Sequence, residues 1–108
     1  MAELNPSACR LDATGRREQA DRYRRLSGSV TAMQRREDAL DVSFAAAVDV
    51  SLLRDAVDVE RECCPFFDLD LDLDDHARTL HVSVAGADDR PALDALAAAI
   101  RPEGDPHA

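Results

Sequence analysis

From Phe66 to Asp74 the chain reads FFDLDLDLD. Successive side chains of an extended strand point to opposite faces, so Phe67, Leu69, Leu71 and Leu73 share one side and Asp68, Asp70, Asp72 and Asp74 the other. The same period returns in residues 78–85, with Leu80, Val82 and Val84 inward and Thr79, His81 and Ser83 outward. It returns again in residues 40–46, where Leu40, Val42 and Phe44 alternate with Asp41 and Ser43. Residues 29–35 supply a fourth strand. The short polar link Arg36-Glu37-Asp38-Ala39 joins it to residues 40–46 and predicts a hairpin. A turn at Asp75-His76 makes a second hairpin of the other two strands.

Elsewhere the spacing lengthens to that of a helix. Leu53, Ala56, Val57, Glu60 and Cys64 form one stripe of a helix capped by Asp49 or Ser51. Pro65 ends it, because the residue before a proline is pushed out of helical geometry. Residues 13–26 predict a first helix, with Asp12 or Thr14 as N-cap and Gly28 at its end. Its apolar face is thin (Ala20, Tyr23, Leu26), as expected of a helix docked on the outside of a core. Gly86 breaks the last strand, and a helix over residues 89–100 buries Leu93, Leu96, Ala97 and Ile100. The order α-ββα-ββα predicts an α+β domain. Its four-stranded antiparallel sheet carries the helices on one face, a two-layer sandwich whose other face is wet. Joined into a ring, ββαββα is also a cyclic shift of the ferredoxin-like order βαββαβ, an analogy of topology that says nothing of activity. Residues 1–11 read as an irregular segment, 12–101 as a single domain and 102–108 as a disordered tail.

Composition and charge narrow the partners. With 108 residues, 45% hydrophobic and 32% charged, the chain suits one globular domain with a modest core. A net charge of −9 repels phosphate backbones, so nucleic acid is not an expected partner. Residues 1–36 hold eight Arg against four acids and residues 37–108 five Arg against eighteen, which predicts an Arg-rich first helix lying near an acidic remainder. No apolar run reaches membrane-spanning length, and the first residues lack the basic start and apolar core of a signal peptide. The expectation is a cytoplasmic protein with no membrane partner.

Candidate chemistry then concentrates in few residues. The aspartate row lacks the glycine bend and terminal glutamate of a calcium loop, and reads as a solvated strand face on which Arg78 and His81 soften the repulsion. His76, His81 and His107 have no ligand spacing. The three cysteines, Cys9, Cys63 and Cys64, are an odd count in a chain with no export signal, which argues for thiols over structural disulfides. Cys63 and Cys64 sit at a helix C-terminus beside Glu60 and Glu62. The negative end of the helix dipole disfavours a standing nucleophile there but not a soft metal, whose bond to sulfur displaces the protons itself. Mercury(II), trivalent arsenic and copper(I) are such ions. Cys63 and Cys64 are the expected ligands, with Cys9, just before the first helix, as a third. Three sulfurs suit a trigonal soft-ion site, whereas tetrahedral zinc would need a fourth ligand. Glu60 falls inside the apolar stripe, where a charge needs a partner; Arg24 of the first helix is the expected one, with Arg61 beside the thiols.

The segment Glu60, Arg61, Cys63, Cys64, Pro65, Phe66 resembles a family of short bacterial proteins with a Glu-Arg-x-Cys-Cys-Pro-Phe motif. Ala8, Cys9 and Leu11 before the Arg-rich helix, then Arg22, Tyr23 and Leu26, extend the resemblance. Some members lie near heavy-metal resistance or regulator genes. The resemblance implies that all three cysteines belong together. The chain departs from the family in its longer acidic strand and in Gly86-Ala87-Asp88, which replaces a Gly-Pro stretch. The leading expectation is a small protein binding a soft metal or metalloid through cysteine thiolates. The first alternative is a structural or interaction module, a homodimer among its forms, with the cysteines as core. The second is a thiol redox switch or thiol-dependent enzyme, although the sequence has no cofactor motif.

Overall fold

The computed structural model describes residues 12–74 and 78–101. The segments 1–11 and 102–108 and the turn at Asp75-His76, and with them Cys9, His76 and His107, lie outside the described residues. The order is α1 (Ala13–Ser27), β1 (Val30–Arg36), β2 (Ala39–Phe44), α2 (Val50–Cys63), β3 (Asp68–Leu73), β4 (Arg78–Ser83) and α3 (Arg90–Ile100). A single tight helical turn at Ala87–Asp89 precedes α3. This is the expected α+β arrangement.

The sheet runs β1-β2-β4-β3 with every neighbouring pair antiparallel. It is the strand order that the cyclic shift of a ferredoxin-like ring requires. The two central strands, β2 and β4, send Leu40, Val42, Leu80 and Val82 into the core, each at most 2% exposed. The sheet face turned away from the helices carries Asp68, Asp70 and Asp72 exposed on edge strand β3. His81 stands opposite Asp70 in register but pairs with Asp41 on the other side, Nδ1 to Oδ1 at 2.8 Å.

Local chemistry explains the boundaries. Asp12 Oδ1 accepts from the Gly15 N–H at 2.8 Å, and Asp49 Oδ1 from the Leu52 N–H at 3.1 Å. Such caps contribute about 1 kcal/mol each. β1 carries an irregularity between Val30 and Ala32. Val30 and Met33 are an odd number of residues apart, so a regular strand would send them to opposite faces. The extra residue lets both pack against the core. After Pro65 the Phe67 N–H turns back to the Cys64 carbonyl at 3.0 Å. β3 consequently starts at Asp68, two residues later than the alternation suggests.

The helices do not share the sheet equally. α2 lies over β3, α3 over β1 and β2, and α1 packs against both α2 and α3. Arg35 Nε reaches Asp94 at 2.9 Å, while Arg90 reaches Asp38 at 2.6 Å and Glu37 at 3.2 Å, fastening α3 to the first hairpin. The Arg-rich α1 lies against α2 and α3 of the acidic remainder, and three of its arginines find partners inside the helix. Arg24 and Arg25 pair with Asp21, and Arg22 donates to Gln19, all within the helix.

Candidate functional site

Where α1 crosses α2, the inner stripe of each helix carries polar atoms. Glu60, 7% exposed, meets two side chains of α1. Tyr23 Oη donates to Glu60 Oε1 at 2.6 Å, and Gln19 Nε2 donates to the same oxygen at 3.1 Å. Gln19 Nε2 also reaches the Ala56 carbonyl at 2.8 Å and Tyr23 Oη at 3.1 Å. Arg22 fixes the amide from the other end, donating to Gln19 Oε1 at 2.9 Å. The carboxylate is thus stabilised by neutral donors, which satisfy Oε1 without cancelling its charge. Burial holds the Tyr23 hydroxyl well above its usual ionisation range of about 10.0, and the charge and hydrogen bond of Glu60 push it further. Cys64 adds to the same effect.

Arg24, the expected partner of Glu60, is not there. Its side chain is 62% exposed and lies 2.5 Å from Asp21. The reason is helical phase: with Gln19, Tyr23 and Leu26 on the buried side, Arg24 is turned about 100° away. Arg61 is also engaged elsewhere, donating to the Leu69 carbonyl at 3.0 Å and tying the end of α2 to β3.

Beside this cluster opens a pocket of about 250 Å³ between α1, the end of α2 and α3. Tyr23, Glu60 and Cys64 form its polar end; Phe66, Phe67 and Leu96 form apolar walls. Ala92, Ala95 and Ala99 of α3 line it too, and their small side chains leave the space. Cys64 is 3% exposed; its backbone leaves the helix at φ −127°, ψ 71°, and its N–H still bonds to the Glu60 carbonyl at 2.7 Å. Cys63, the last residue of α2, is half-buried and is not among the pocket walls. Both are thiols and not halves of a disulfide. Among the described residues no three His, Cys, Asp or Glu side chains come together in a way that could hold a metal ion. The structure therefore brings Cys64 to Glu60 at one cavity and leaves Cys63 and Arg24 out of its walls. Cys9 falls outside the described residues.

Two contributors were not singled out from the sequence. Gln19 precedes Tyr23 by one helical turn, and a polar residue on an otherwise apolar stripe was the available signal. The alanines of α3 carry no chemical signal at all; only the fold turns them into a cavity.

Comparison of the chain with protein-family models, with curated proteins and with solved structures gives no match. No helix among the described residues is long and apolar enough to cross a membrane.

Proposed function

We propose that this chain binds a thiophilic metal cation at the C-terminal end of α2, with Cys64 as the principal ligand and Cys63 next to it. The observation that carries the reading is the position of Cys64, a thiol in the wall of a pocket that also holds the buried carboxylate of Glu60. A soft cation forms a strong bond to sulfur and displaces its proton. A negative carboxylate in a poorly solvated cavity favours a positive guest. With no three-donor cluster among the described residues, an ion content with one or two ligands, such as mercury(II) or copper(I), fits better than one needing three. Trivalent arsenic would need Cys9 as well.

Titration of the reduced protein with mercury(II), in competition with a calibrated thiol chelator, tests the reading. Tight stoichiometric binding that falls at least tenfold in Cys64→Ser is expected. No competitive binding by the folded protein would overturn it. The burial of Cys64 favours a second reading, a structural or interaction module in which the thiol only fills core. That reading expects Cys64→Ala to change stability alone.

A further inference from the structure

The cavity says more about the guest than the sulfur does. We infer that its ligand is a soft cation already carrying one small apolar organic group, an organometal cation with a single coordination position left. This rests on the thiol-binding reading above and names its substrate class.

Three observations point the same way. First, among the described residues one sulfur lines the pocket: Cys64 is a wall and Cys63 is not. A bare two-coordinate ion would use two sulfurs, whereas a cation with one position occupied by carbon needs one. Second, most of the lining is apolar, with Phe66, Phe67 and Leu96 among its walls and alanines along α3. A bare ion gains nothing from such walls, while an alkyl or aryl group gains the burial of its surface. Third, the polar end sets a carboxylate beside the Cys64 sulfur, where it faces the metal. Among the described residues both hydrogen bonds to Glu60 fall on Oε1, and Glu60 itself lines the cavity. The size agrees: cavities of about 150 Å³ already admit a benzene ring, and this one measures about 250 Å³.

The chemistry balances without an oxidant or reductant. The cation arrives bound to a small carrier thiol. The Cys64 sulfur forms the new sulfur–metal bond as the carrier's sulfur–metal bond breaks, and the proton of the Cys64 thiol leaves on the released carrier. The carbon–metal bond is untouched.

The test compares phenylmercury with methylmercury, two cations of equal charge and equal free valence that differ in their apolar body. Each is presented to the full-length reduced protein as its glutathione adduct, and the exchange constant is read from quenching of tyrosine emission. Tyr23 is the chain's only tyrosine and there is no tryptophan, so the signal reports this cavity. Phenylmercury is expected to exchange onto the protein about 10- to 100-fold more favourably than methylmercury. The preference should vanish in Cys64→Ser and survive in Cys63→Ser. Ala95→Phe should abolish it by filling the cavity while methylmercury binding persists. Ala95 is solvent-exposed, so the variant has room to fold, and Ala99→Leu, also at an exposed position, serves as an independent second block. Equal exchange of both cations, or a preference that follows Cys63, overturns the inference and leaves the thiol-binding reading standing. Failure of both cations and of inorganic mercury(II) to leave glutathione overturns that reading and the inference with it.

Discussion

Tyr23 Oη lies 2.6 Å from Glu60 Oε1, linking α1 to α2 through a hydrogen bond that both helices bury. A hydrogen bond to a charged group contributes about 1.5–3 kcal/mol, and an orphaned buried partner costs as much again as its lost solvation. Tyr23→Phe leaves Glu60 with Gln19 alone and is expected to lower stability by about 1.5–3 kcal/mol. Glu60→Ala strands both Tyr23 and Gln19 and should cost at least that much. Glu60→Gln keeps an acceptor oxygen for Tyr23 and should cost less than either. Urea denaturation followed by circular dichroism checks the order; a neutral Tyr23→Phe would contradict it.

The same contact makes the protein sensitive to alkali in a defined direction. Burial, then Glu60, raises the Tyr23 ionisation well above 10.0 in the folded state. The unfolded chain therefore loses the phenolic proton first. The stabilisation is complete below about pH 10 and is lost as pH rises through the folded value. Because Tyr23 is the only tyrosine, tyrosinate absorbance reads it without deconvolution. A folded-state midpoint well above the ordinary one is expected, moving downward in Glu60→Gln as the carboxylate charge disappears. A midpoint near 10 in the folded wild type would show the hydroxyl to be solvated.

The fold was legible because its strands obey a period of two almost without exception. Leu40, Val42, Leu80 and Val82 were placed inward by alternation, and they form the centre of the core. Alternation failed at Phe66 and Phe67, where the turn after Pro65 overrides strand propensity, and in β1, where the spacing of Val30 and Met33 demands a bulge. The need of Glu60 for a partner was also legible, since it interrupts an apolar stripe. The partner's identity was not. Arg24 is the obvious opposite charge, but helical phase chose Tyr23 and Gln19 instead. The cavity was invisible in the sequence, because it is made by absence of side-chain volume along α3.

The two adjacent cysteines should differ in reactivity. Cys63 is half-buried and Cys64 is 3% exposed. Under native conditions a bulky alkylating reagent should modify Cys63 first, with Cys64 following at a rate limited by local opening of the α2 end. Peptide mapping after timed quenching measures both. Cys64→Ala removes a buried sulfur and should cost about 1–2 kcal/mol, whereas Cys63→Ser should stay within about 0.5 kcal/mol of the wild type. Faster labelling of Cys64 would mean that its wall of the pocket opens readily to solvent.

Occupancy of the cavity should be visible in the titration of Tyr23. Glu60 and Cys64 both act to keep the hydroxyl protonated. A cation bonded to the Cys64 sulfur removes the negative charge that sulfur would otherwise carry at high pH. This change favours the phenolate. Saturation with phenylmercury should therefore lower the Tyr23 midpoint while leaving burial, the largest cause of its elevation, in place, so the midpoint should remain above the ordinary value. The shift should persist in Cys63→Ser and be lost in Cys64→Ser. If saturation leaves the midpoint unmoved, the cation sits on Cys63, outside the pocket, and Glu60 and Tyr23 serve only to join α1 to α2.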